Sequence, residues 1–365
     1  MIEDINKYFN YFKHQFFLIK KLNFLILYIT SKCNFKCKTC FFHEHLNKNN
    51  DLTLSEYKKI SENLGNISIL LLSGGEPFLN PCLEDICSIF VKKNKIETLY
   101  IPTNGFFTDK ILSVTESLLK KFPNITLSLN PSLDGMLNYH EQLRNVKGSF
   151  NNAIKTIEGL TLLKKKYKNL QIIVNSVIHH NNLNDIKNLS SFLKKFNIDY
   201  HAFEVMRGNI RNKNLSAATI EEIKNIHKFI LKNRHYYLIR KKTSNVLKRF
   251  INKIIVLGHL KYTQNLKERV LSGQKWPFKC TAGCSISVIY PNGNVGLCEL
   301  LKPLKNIKQY NYNLPQLLLS ITAKEKIESI KKNKCSCTHI CFLNASLALD
   351  WKTPFKIFYF YLKSI

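Results

Sequence analysis

Arginine is nearly missing from this chain: only 7 of its 55 basic residues are Arg and 48 are Lys. Proteins that read nucleic acid favour Arg for its bidentate fork, so the formal charge of +30 is a weak sign of such a partner. The Lys is accompanied by abundant Asn, which is the mark of a compositional bias and a solvated surface. Nucleic acid is therefore set aside as the expected partner. Long apolar runs are lacking too. No window supplies the ~20 uncharged residues of a membrane span, because the best stretch, FFLIKKLNFLILYIT, is broken by Lys20 and Lys21. It reads as a helix entering a buried strand. The start, MIEDINKYFNYFKHQ, lacks the basic head, apolar run and cleavage site of a signal peptide. A cytoplasmic location is the expectation. Structural disulfides do not persist there, so the eleven cysteines point to metal.

What is present is a large apolar fraction, 45% of 365 residues, enough for a sizeable core. Between residues 24 and 210 short apolar runs alternate with amphipathic, Lys-rich stretches, the pattern of repeated strand-helix units on a parallel sheet. The strands are FLILYIT, ISILLLS, IETLYIP, ITLSLN, LQIIVNSVI and DYHAFEVM, with helices such as LTLSEYKKISENL and TDKILSVTESLLKKF between them. Six units predict an α/β fold, a partial (β/α)6 TIM-like barrel with function at the carboxyl ends of its strands. Residues 1–23 read as a helical lead-in and 211–275 as a helical bridge. Residues 276–365 read as a small cysteine-rich domain, held by metal more than by core, with a hairpin at PNGN. The tail TPFKIFYFYLKSI is aromatic and basic; a packed element is expected, a membrane contact is the alternative. Cys82 and Cys87, on a helical stretch, read as packing residues.

The chemistry is concentrated in SKCNFKCKTCFF, where Cys33, Cys37 and Cys40 directly follow the first strand. Three thiolates on a four-iron cube leave one iron open, the mark of a catalytic rather than a structural metal site. The alternative is zinc with His43 or His45 as fourth ligand. The C-x3-C-x2-C spacing after a first strand resembles the signature of the radical S-adenosylmethionine (radical SAM) superfamily. That likeness extends to Gly74-Gly75-Glu76-Pro77 after the second strand, Thr103-Asn104-Gly105 after the third, and Ser132-Leu133-Asp134-Gly135 with His140, Glu141 and Arg144 after the fourth. Thr39, Glu141 and Pro131 depart from the usual pattern.

The resemblance implies a [4Fe-4S] cluster on the three cysteines, whose open iron binds S-adenosylmethionine. Electron transfer then yields a 5'-deoxyadenosyl radical. It further implies cofactor contacts by Gly74, Gly75, Glu76, Asn104, Ser132 and Arg144, and an electron donor such as flavodoxin or ferredoxin. Asn175, Ser176, Arg207 and Gly208 stand where the family lines its barrel. Near the C-terminus Cys280, Cys284, Cys298, Cys335, Cys337 and Cys341 resemble the SPASM or Twitch extension with its auxiliary clusters. One auxiliary cluster is expected, on Cys280, Cys298, Cys337 and Cys341, with Cys284 and Cys335 as substitutes or bystanders and zinc as the alternative. No catalytic residue is assigned. The expected substrate is a peptide or protein, recognised with a partner because no leader-binding domain precedes Cys33. A small molecule such as a sugar or antibiotic precursor, and a metal-stabilised binding protein without catalysis, are the alternatives.

Overall fold

The chain's structure, a computed structural model, describes residues 21–240 and 245–364. The expected lead-in helix lies, up to residue 20, outside the described residues. Six parallel strands follow in order: β1 (Phe24–Thr30), β2 (Ile69–Gly74), β3 (Thr98–Thr103), β4 (Thr126–Pro131), β5 (Leu170–Ile178) and β6 (Tyr200–Val205). The helices between them are α1 (Leu54–Leu64), α2 (Leu83–Asn94), α3 (Thr108–Lys121), α4 (Leu137–Arg144), α5 (Ser149–Lys166) and α6 (Leu183–Leu193). This is the expected α/β architecture, a parallel sheet arranged as in a partial TIM barrel. The strands are continuous apolar runs because both faces are covered. One set of alternate residues (Leu25, Leu27, Leu70, Leu72, Ile172) is buried, and the other (Ile26, Tyr28, Leu71, Ser73, Tyr100) lines an inner chamber.

The bridge consists of two helices, α7 (Ile220–Arg240) and α8 (Val246–Leu271). Ile223, Ile226 and Ile230 of α7 pack with Phe203 and Val205 at the β6 edge. The C-terminal region adds β7 (Ile286–Ile289), β8 (Asn294–Gly296) and β9 (Lys305–Asn306), then α9 (Leu314–Leu318), α10 (Ile321–Lys332), α11 (Ile340–Leu347) and α12 (Thr353–Leu362). The hairpin read at PNGN is present between β7 and β8, closed by Gly293 at φ 84°.

The pairing of β7 departs from the sequence expectation. It runs parallel to β1, Phe24 opposite Ile286, and extends the sheet to the order β6-β5-β4-β3-β2-β1-β7-β8-β9. Trp276, Val288, Val295, Leu297 and Phe342 are buried in the same cluster as Leu25 and Leu70. The C-terminal region thus shares the main core, because β1 offers a long apolar edge that an apolar strand can cover. Helix α12 packs on α8, where Gly258 faces the Ile357 carbonyl so closely that a Cβ could not be accommodated.

Candidate active site

Cys33, Cys37 and Cys40 occupy the loop after β1, all three free and half-buried. Strand β2 fastens that loop from one side: Gly75 N donates to Thr30 O (2.9 Å) and Glu76 N to Lys32 O (2.8 Å). Only glycine permits the approach, since a Cβ on Gly74 would overlap the Thr30 carbonyl and one on Gly75 the Lys32 carbonyl. The turn after β3 holds it from a second side, with Asn104 Nδ2 donating to Asn34 Oδ1 (2.8 Å) and Phe35 edge-on to Phe106. On a third side Lys38 N donates to Leu143 O (2.9 Å) and Arg211 N to Cys40 O (3.1 Å). The ends of four strand-helix units therefore converge on one loop.

Glu76 is wholly buried, and its carboxylate accepts from Thr103 Oγ1 (2.8 Å), Asn104 N (2.7 Å) and Phe78 N (3.2 Å). Burial pushes its pKa up to about 7 against the pull of those donors. Glu76 thus ties the GGEP turn to the TNG turn. Arg144 Nη2 stands 2.7 Å from Asp134 Oδ2, and its Nη1 is 3.8 Å from Cys37 Sγ. Burial disfavours the guanidinium, but Asp134 and Cys37 outweigh it and hold Arg144 charged. Ser132 lies at the end of β4, its N–H given to Thr103 O (2.9 Å) and its backbone bridged to Asn175. Ser176 is satisfied locally through His201 Nε2 (2.6 Å).

The Asp134 side chain is fully buried, so removing its charge strands Arg144 beside Cys37. Asp134→Asn is expected to cost about 3–5 kcal/mol, read as a lowered urea midpoint at unchanged slope.

The donor set suits an iron-sulfur cluster. Burial raises all three thiols, Cys33 to about 12; Cys37 and Cys40 raise Cys33 further, Cys37 raises Cys40, and Asp134 raises Cys37. Arg144 lowers Cys37 and Arg211 lowers Cys40, so two guanidiniums stand ready to offset the charge of three metal-bound thiolates.

The C-terminal thiols form a second group. Cys335 and Cys284 raise Cys280; Cys337 and Cys280 raise Cys298; Cys280 and Cys335 raise Cys337, each after burial itself. These mutual effects place Cys280, Cys298, Cys335 and Cys337 near one another, with Cys284 beside Cys280. The strongest charges on Cys341 are Glu299, Glu204 and Arg207, and it lines the chamber. Among the described residues no three His, Cys, Asp or Glu side chains converge at the spacing of a single ion.

A chamber of about 350 Å3 is walled by the inward strand residues and closed by α8 and α11, with Phe41, Glu299 and Cys341 in its lining. Its polar wall was not legible beforehand apart from Asn175 and Arg207. The Glu299 carboxylate accepts from Tyr28 and pairs with His339. Burial would raise Glu299, but His339, Arg207 and Tyr28 hold it down at about 2. Arg207 Nη1 and Lys267 Nζ each stand 3.6 Å from Glu204 Oε2. The available signals were Glu299 next to Cys298 and His339 between Cys337 and Cys341; Glu204 and Lys267 carried none. Phe41, directly after Cys40 and 5.4 Å from the Arg207 guanidinium, stands with Glu299 in the wall shared by the chamber and an outer cleft of about 740 Å3.

Comparison with known proteins agrees with this geometry. Residues 27–193 match the family described as the Radical SAM superfamily. A GTP 3',8-cyclase of Aquifex aeolicus (strain VF5) is 28% identical over 222 residues, covering 58% of this chain and 66% of that protein. The chain spans between about half and two thirds of the length of the curated relatives first matched. Among solved structures, native anSMEcpe with bound AdoMet and the Cp18Cys peptide has TM-score 0.60 at 18% identity, covering 93% of this chain and 99% of that one. Streptococcus suis SuiB bound to its precursor peptide SuiA has TM-score 0.57 at 15% identity, covering 87% and 70%. Those two likenesses establish a shared fold. The family match thus marks residues 27–193, somewhat under half of the chain, as a radical SAM domain.

Proposed function

We propose that this protein cleaves S-adenosylmethionine reductively and abstracts hydrogen from a peptide or protein substrate. The observation that carries the peptide reading is the shared wall at Phe41 and Glu299. An extended chain in the outer cleft can pass one side chain beyond Phe41 into the chamber, toward the three-thiol loop. The fold neighbours bound to a Cp18Cys peptide and to SuiA support the same substrate class. A second reading, a small molecule held entirely within the chamber, is favoured by the enclosed volume of about 350 Å3 and by the cyclase relative.

On this reading Cys33, Cys37 and Cys40 hold a [4Fe-4S] cluster, and S-adenosylmethionine lies along Gly74, Gly75, Asn104 and Ser132. When bound and reduced, that cluster supplies the electron that splits S-adenosylmethionine into methionine and a 5'-deoxyadenosyl radical. Glu76 and Arg144 act as positioning residues: one locks two turns together, the other holds positive charge at Cys37. Tyr28, Phe41 and Tyr100 screen the chamber from water. An auxiliary cluster belongs to the C-terminal thiols, with Cys280, Cys298 and Cys337 among its ligands and Cys341, Cys335 or Cys284 as the fourth. Residues 24–210, 211–275 and 276–365 then serve as core, bridge and auxiliary region, with a cytoplasmic electron donor of the flavodoxin or ferredoxin type.

The test is 5'-deoxyadenosine release by anaerobically reconstituted, dithionite-reduced protein supplied with S-adenosylmethionine. A burst stimulated by a mixed peptide pool is the expected outcome. Stimulation by GTP in place of peptides favours the second reading, and no release under any condition rejects both.

A further inference from the structure

Helix α12 carries two apolar faces. Thr353, Ile357 and Tyr361 are buried against the protein, with Phe360 stacked on Tyr262 of α8. Gly258 against Ile357 and Tyr262 against Phe360 show that α8 and α12 advance in the same direction. The opposite face of α12 is also apolar. Phe355, Phe358, Tyr359 and Leu362 follow an i, i+3, i+4, i+7 pattern, and Trp351 stands one turn earlier. All five are exposed, Phe355 at 69% and Trp351 at 63%. At the matching end of α8, Val246, Leu247 and Phe250 are exposed as well. A solvated helix needs one apolar face, and the second requires an occupant.

Charge identifies that occupant. Lys352, Lys356 and Lys363 flank the exposed face, and each ammonium lies over an aromatic ring: Lys352 over Trp351 (5.4 Å), Lys356 and Lys363 over Tyr359 (5.9 and 4.7 Å). Aromatics with amphipathic rings at the centre and lysines at the border fit an anionic lipid surface, where rings enter the headgroup zone and ammonium groups meet phosphate. No helix among the described residues is long and apolar enough to span a bilayer, so the contact is one that lies on the membrane.

We propose that α12, with the first turns of α8, docks the protein onto an anionic membrane surface. The proposal is independent of the radical chemistry.

The chain's two tryptophans make the test direct, since Trp276 is buried and Trp351 is on the face. Full-length protein is mixed with vesicles of phosphatidylcholine alone or with about one third phosphatidylglycerol. Sedimentation with the anionic vesicles, a blue shift of Trp351 emission and reversal by salt are expected. The triple substitution Phe355→Ser, Phe358→Ser, Leu362→Ser spares the seam on α8 and is expected to lower the bound fraction about tenfold with an unchanged thermal midpoint. Lys352→Gln, Lys356→Gln, Lys363→Gln is expected to remove the preference for anionic lipid. Wild type that stays in the supernatant with both vesicles, or serine variants that bind like wild type, overturns the proposal. So does a lipid-free dimer that the serine variants dissociate, which assigns the face to a second copy.

Discussion

Replacing Cys33, Cys37 and Cys40 together by alanine is expected to abolish 5'-deoxyadenosine release and to remove about four of about eight irons per chain. The eight assume one four-iron cluster in each thiol group. The loss should be total because the three thiols are the loop's only cysteines; Cys82 stands at the N-cap position of α2 and Cys87 is buried. The fold should persist, since the loop is held by backbone bonds to Gly75, Glu76, Leu143 and Arg211 that do not involve sulfur. Iron analysis of wild type and variant after anaerobic reconstitution decides the matter. A wild type that takes up zinc, or a variant that keeps all its iron, removes the basis of the radical reading.

Gly75→Ala should be nearly as damaging without touching a ligand. Its Cβ would overlap the Lys32 carbonyl and come within 2.9 Å of Cys33 Cβ, and backbone atoms cannot swing aside as a side chain can. The overlap is relieved by shifting the loop, and a displacement of about 1 Å at a reacting centre costs on the order of a hundredfold in rate. The expected signature is normal secondary structure, iron at the N-terminal loop reduced or lost, and 5'-deoxyadenosine release down about a hundredfold. Gly273→Ala is the control, because that position has positive φ, which Gly75 does not, and meets no atom within 4 Å. Equal loss in both variants would mean that glycine flexibility, and not the close approach at Gly75, is what matters.

Much of this fold was legible because the barrel strands are apolar on both faces and the helices on one. FLILYIT and LQIIVNSVI coincide with β1 and β5, and TDKILSVTESLLKKF overruns α3 by a single residue. Periodicity reports which face is buried but not against what, so nothing in SVIYP announced that β7 would pair with β1. The site divides in the same way. The cysteines, glycines and Glu76 stood in short local motifs, and the structure brings those motifs to one loop. The Arg144–Asp134 pair was visible as two motif residues whose partnership was not. Glu204 and Lys267 lie far apart in sequence and meet only because α8 closes the barrel's open side.

The β1–β7 pairing also bears on how the chain is made. Strand β1 leaves the ribosome well before β7, yet one of its two edges is covered only by that segment roughly 260 residues downstream. Until then FLILYIT presents unpaired amides along an uncharged apolar edge, the type of segment that recruits other strands. Synthesis that stops short of Ile286 would leave that edge open for good. Nascent chains truncated there should aggregate, while chains that reach past the hairpin close the sheet themselves.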